Sequence, residues 1–207
     1  ELSSSGAKVL QLRAVEYASK FNLPLRVLSS FNKGEGTLVQ EEKNIMERPI
    51  VSGISSIDSE AKLTMRGVPD IPGVAAKILS PISEAGIEVD VIVQNISAEN
   101  NTDFTFTVDK ADAKKAEAIL QEVSISLEGG SIEVDDDIAK ISIVGRGMRA
   151  HAGVASKMFQ ALAKSEINIS MITTSEIKIS VVIKKSEMAN AVSALHDAFD
   201  LDKELDS

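Results

Sequence analysis

The sequence predicts an α+β fold: two ferredoxin-like βαββαβ units, each an antiparallel sheet with helices on one face. Three observations carry this. The run "AKLTMRGVPDIPGVAAKIL" from Ala61 is written again as "AKISIVGRGMRAHAGVASKMF" from Ala139. Segments of strict apolar alternation and segments of helical period follow each other in the same order in both copies. The 207 residues are 43% hydrophobic and 26% charged, an ordinary globular composition with room for one large domain or two small ones.

The first 48 residues precede the repeat. Val9, Leu10, Leu12, Val15, Tyr17 and Ala18 give residues 7–21 a helical apolar face, closed by Asn22 and Pro24. "LRVLSSF" and "TLVQ" read as short strands around the turn "NKGEG", and "EEKNIMER" as a polar linker. No initiator Met opens the sequence, so Glu1 reads as a trimmed, incomplete or engineered start.

The first copy begins near Ile50. "IVSGISSI" and "AKLTMRG" are strands around "DSE". Residues 72–85 form a helix with Val74, Ala75, Ile78, Leu79 and Ile82 on one face, capped by Gly86. "IEVDVIVQNIS" and "TDFTFTVDK" alternate as strands around "AENN", and 111–123 is a helix. The second copy repeats this. "SIEVDDD" and "AKISIVG" are strands, 152–166 a helix, "INISMITTS" and "IKISVVIKK" strands, and 187–199 a helix. "DLDKELDS" reads as a frayed tail. Each copy is thus strand–helix–strand–strand–helix, with one more strand supplied just upstream. Lys62 matches Lys140, Gly67 matches Gly145, Gly73 matches Gly153 and Ile87 matches Ile167. The expected division is 1–48, 49–130 and 131–207, with boundaries interleaved by exchanged strands. Like units of this kind pack on each other or on a partner's.

Composition excludes several classes. A net charge of −9 repels a phosphate backbone, and 3% aromatics leave few stacking platforms, so no nucleic-acid partner is expected. No apolar run reaches the length of a membrane span, and no leader is seen. Absent cysteine excludes thiolate metal sites and disulfides and fits a cytoplasmic setting. Neither phosphate-loop spacing nor a dinucleotide fingerprint occurs; "GRGMRAHAG" is read as a tight turn. His151 and His196 have no acid and nucleophile beside them in the pattern of a triad. "EVDDD" lacks the ligand alternation of a calcium loop and reads as a solvated turn, so no metal and no cofactor are expected.

The repeated strand–helix turn offers more. In "PDIPGVA", Gly73 lets a ligand approach the helix start, whose N–H groups and dipole attract a carboxylate. Asp70 either accepts a ligand ammonium or caps the helix. An acid beside bare N–H groups suits a free amino acid. Gln94 and Asn95, at the end of the next strand, carry amides able to donate and accept; Thr174 and Ser175 are their counterparts.

Together, "GAKVLQLRAVEYASKFNLPLRVLSSF", "EAKLTMRGVPDIPGVAAKI", "VDVIVQNIS", "TDFTFTV", "AKISIVGRGMRAHAGVASKMFQAL", "INISMITTSEIKISVVI" and "ALHDAF" resemble the regulatory part of aspartate kinases, built from two ACT domains. The resemblance is to the lysine-sensitive, single-function bacterial type and its separate β subunits, and covers nearly the whole chain. It implies that residues 1–48 are the end of a kinase-domain-like segment and a connector. It also implies that the upstream strand of each unit takes the place of a missing last strand. The family phosphorylates the aspartate side-chain carboxylate with ATP, but its kinase motifs are absent here, so no catalytic residue is expected in this chain.

What the resemblance implies instead is feedback sensing of L-lysine, L-threonine or both, in a homodimer formed through ACT domains and joined to the kinase catalytic part. The implied effector residues are Asp70, Ile71, Pro72, Gly73, Val74 and Ala75 in the turn. Gln94, Asn95, Ile96 and Ser97 follow on the facing strand, with Thr102 and Thr105 beside them. A second unit closes the site with Val154, Asn168, Ile169, Ser175 and Glu176. Ala150 and Ala152 stand where the first copy has Asp70 and Pro72, which weakens the second turn as an independent site. The rival readings are a stand-alone ACT sensor and a structural dimerisation module for another enzyme.

Overall fold

A computed structural model describes residues 9–40, 51–96, 101–127, 130–145 and 153–202. Helix α1 (Leu12–Lys20) and a hairpin of β1 (Leu25–Val27) and β2 (Thr37–Val39) form the leading piece. The linker expected over 41–48 lies outside the described residues, as does the chain beyond Asp202. The helix is shorter than the apolar pattern suggests. Only Ala18 in it is buried, so its outer turns have no core to hold them.

The first unit comprises β4 (Glu60–Pro69), α2 (Val74–Glu84), β5 (Val89–Ile96), β6 (Asn101–Asp109), α3 (Ala113–Ser126) and β7 (Ser131–Asp135). Its sheet order is β5–β6–β4–β7, with every pair antiparallel. Val74, Ile78 and Ile82, spaced by four, put one stripe of α2 into the core beside Leu63, Phe104 and Phe106. The second unit comprises β8 (Ile138–Gly145), α4 (Val154–Lys164), β9 (Met171–Thr174), β10 (Lys178–Lys184) and α5 (Met188–Ala198). Its fourth strand is β3 (Val51–Ile57), in the order β3–β8–β10–β9. Val154, Met158 and Leu162 repeat the buried stripe of α2.

The upstream strands therefore do not join the units they precede, and a cut at 130/131 does not follow the sheets. Strand β7 returns from α3 to lie beside β4 and completes the first sheet in sequence. After α5 no further strand occurs among the described residues, so the equivalent place beside β8 is open, and β3 fills it. The strand expected over 167–175 shrinks to β9: the ladder with β10 runs from Met171 to Thr174, with Ser170 and Ser175 bonding to β10 at its two ends.

The helix-free faces of the two sheets look at each other. Thr64 and Thr107 of the first sheet and Ser55, Ser142 and Ser180 of the second are all buried there. Ser142 and Ser180 bond each other at 2.8 Å. Strand β8 is buried along its whole length, which only a strand covered on both faces can be.

Candidate functional site

The two repeated turns share one backbone device. Gly73 (φ 92°) and Gly153 (φ 104°) stand left-handed at the starts of α2 and α4, a conformation that costs an L-residue side chain strain. No side chain caps either helix. Asp70 is thus not a cap. It is exposed, with no hydrogen bond or ion pair among the described residues. Val74 N–H donates to Ile71 O at 3.2 Å and Lys77 N–H to Gly73 O at 3.0 Å. The N–H groups of Ala75 and Ala76 have no partner among the described residues, so the positive end of α2 is open. Ile71 is half-exposed beside it and Pro72 is exposed.

Strand register brings the end of β5 to the same edge. Ile96 pairs with Thr102, and Thr102 with Val68. The turn thus begins two strand spacings, about 10 Å, from the β5 end, a span that suits an amino acid with its side chain. The adjacent amides part company. Gln94 pairs with Phe104 and shares the helix side of the sheet with α2, whereas Asn95 pairs with Asp103 on the opposite face. Thr102 is fully buried, and its hydroxyl donates to the Asn95 carbonyl at 2.7 Å. It holds β5 and does not face solvent. Ser97 lies outside the described residues.

Asn95 instead lines a cleft of about 440 Å³ between the first sheet and residues 169–172 of the second unit. Lys62, Thr64 and Arg66 of β4 and Asp103 and Thr105 of β6 form its floor, and Ile169 and Met171 overhang it. Arg66 donates twice to Glu133, at 2.8 Å each, and once to Asp103 at 3.3 Å. The hydrogen bond from Arg66 holds the Glu133 carboxyl below its usual value, and Glu133 in turn holds Arg66 more firmly protonated. Asp103 also accepts from Gly67 N–H at 2.9 Å, where a bulge at φ 66° turns the strand. Thr64 and Thr105 share a hydrogen bond of 3.1 Å.

Acids at the end of β7 and just after it pair with cations. Asp135 pairs with Lys62 at 3.1 Å and Asp136 with Lys110 at 3.0 Å. The Lys110 hydrogen bond lowers the Asp136 carboxyl. Among the described residues no group of three His, Asp or Glu side chains could hold a metal ion.

In the second copy the Val154 side chain is buried in the core. Asn168 is exposed, Ile169 half-buried, and Ser175 and Glu176 occupy an exposed turn before β10. Ser175 N–H donates to Lys178 O at 2.7 Å. Ala150, His151 and Ala152 lie outside the described residues. His196 is half-buried on α5. Of the floor of the cleft, sequence reasoning names Thr105 but not Lys62, Thr64, Arg66 or Asp103 as site residues. The one signal for the floor, polar residues alternating along "AKLTMRG" and "TDFTFTV", equally describes a sheet face in water.

The chain matches the ACT domain family over residues 64–123 and 141–199. It is 60% identical over 203 residues to the aspartate kinase of Pseudomonas fluorescens (strain SBW25), covering 98% of this chain and 49% of that one. It spans about half the length of the curated relatives it matches. Among solved structures it is similar to the regulatory subunit of aspartate kinase from Thermus thermophilus in its ligand-free form. That match has 40% identity and a TM-score of 0.70, and covers 72% of this chain and 99% of that one. A structure of aspartokinase alpha and beta subunits matches with 49% identity and a TM-score of 0.69, over 73% of this chain and 99% of the other.

Proposed function

Because the chain belongs to the ACT domain family, as the regulatory part of an aspartate kinase, we propose that it binds free lysine, threonine or both and thereby restrains phosphorylation of aspartate. The observation that carries this is the uncapped start of α2 beside the exposed Asp70, which has no partner among the described residues. The ligand carboxylate sits on the N–H groups of Ala75 and Ala76, and its ammonium on Asp70. Gln94 reaches the same side from β5. A second unit, in this chain or a partner, closes the site with Asn168, Ile169 and the Ser175–Glu176 turn.

Catalysis belongs to the kinase part of the protein, whose relatives are about twice as long as this chain. Effector binding favours the arrangement of ACT units in which that part works poorly, so aspartate and ATP weaken effector binding reciprocally. Homodimerisation through the edge strands β5 and β9, and a cytoplasmic setting, belong to the same reading. The edges leave main-chain groups for pairing, and half-exposed Ile92 and Ile172 occupy equivalent places on them.

Calorimetric titration of the chain with L-lysine, with L-threonine, and with each in the presence of the other tests this, D-lysine being the control. Saturable, stereospecific heat that Asp70→Ala abolishes is the expected result. No heat with either amino acid and an unchanged melting temperature would leave a dimerisation module.

A further inference from the structure

The repeated lysines of the two copies have diverged in what they hold. Lys62 faces Asp135 across β7 and Thr107 across β6, and spends its charge inside its own sheet. Lys140, its counterpart, faces Ile57 across β3 and Val182 across β10, neither of which can pair with an ammonium. It is only 3% exposed. Its charge is met by two carboxylates of the other unit: Glu60, at 2.5 Å, at the start of β4, and Asp90 on β5. A buried ammonium is tolerated only when paired, so the second sheet is bound to present Lys140 to the first unit. The tie is mutual, since the other oxygen of Glu60 is buried with no partner in the structure. Around this cluster the seam combines short hydroxyls, Thr64, Ser142 and Ser180, with the apolar side chains of Val91, Ile138 and Val182, which are buried but belong to neither helix-packed core. The Lys185–Asp58 pair between the linking segments is nearly half exposed and correspondingly weak.

We propose that Lys140 is a positioning residue: its ion cluster with the largely buried Glu60 and the half-exposed Asp90 fixes the orientation of the second unit on the first. Asp90 shares the edge strand β5 with Gln94 and Asn95. A displacement of β5 therefore moves one anchor of the second unit directly, with no chain of intermediate side chains. In this last respect the inference rests on the proposed effector site; the anchoring itself does not.

The absence of cysteine permits a clean test. Spin labels on Ala118→Cys in α3 and Gln160→Cys in α4, both exposed positions, report the distance between the units by pulsed electron resonance. Dilution with unlabelled chain suppresses distances between molecules. The background carrying lysine at 140 gives one narrow distribution. Lys140→Met, which removes the charge and keeps the length, broadens or shifts it. Ile57→Asp, which gives Lys140 the in-sheet partner that Lys62 already has, does the same and covers the case in which Lys140→Met does not fold. Lys62→Met lowers the melting temperature but leaves the distribution narrow. Unchanged distributions in Lys140→Met and Ile57→Asp, or equal broadening in Lys62→Met, would overturn the proposal. These distances are read without ligand, so a chain that binds neither lysine nor threonine by calorimetry would refute the effector reading and leave the anchor standing or falling separately.

Discussion

The hydroxyl of Thr102, buried on β6, donates to the main-chain carbonyl of Asn95 on β5 at 2.7 Å. This bond pins the end of an edge strand that, among the described residues, has a neighbour on one side only. Thr102→Val keeps the shape and leaves that bond unmade, at a cost of about 1 kcal/mol in stability. Denaturant unfolding measures this. Lysine or threonine affinity falls as well, although the side chain is out of ligand reach, because the strand carrying Gln94 is loosened.

The two amides of "VQNIS" behave differently, because strand geometry sends them to opposite faces. Gln94→Ala weakens effector binding by about tenfold or more, the loss expected for one hydrogen bond to a charged group. Asn95→Ala, opening onto the cleft between the sheets, leaves that affinity unchanged. Calorimetry on the two single variants separates them.

Gly73 and Gly153 are left-handed, and an added Cβ at either meets nothing within 4 Å. Alanine at each position therefore costs backbone strain alone, about 1–2 kcal/mol. The equilibrium unfolding of both variants reports this. Only Gly73→Ala also lowers effector affinity, since only that turn carries an acid beside the helix start.

Acid weakens the Arg66–Glu133 pair. The Glu133 carboxyl is lowered in the folded chain, so the contribution of the pair is complete above the ordinary glutamate value of 4.5 and fades as pH falls through the folded value. The melting temperature of the wild-type chain exceeds that of Glu133→Gln at neutral pH, and the gap closes in acid. Both side chains are in water, so the gap is small and shrinks in salt.

The sequence by itself determined the duplication, the order of elements and the turn at Asp70–Ala75. These are local properties: apolar period, glycine at a left-handed position and an acid before a helix start are all written in consecutive residues. The resemblance carried by "PDIPGVA", "VQNIS" and "TSEIKISV" added the family. Only the tertiary structure decided which sheet receives β3 and which receives β7, since both strands alternate alike and both precede a copy of the same "AK" strand. It also decided that Thr102 is a buried brace and that Gln94 and Asn95 face apart. The roles of Lys62 and Lys140 could not be told apart in the text, where both stand in "AK" before an alternating strand. Their difference lies in the strand opposite, Asp135 in one sheet and Ile57 in the other, and partners so far along the chain meet only when the sheets form.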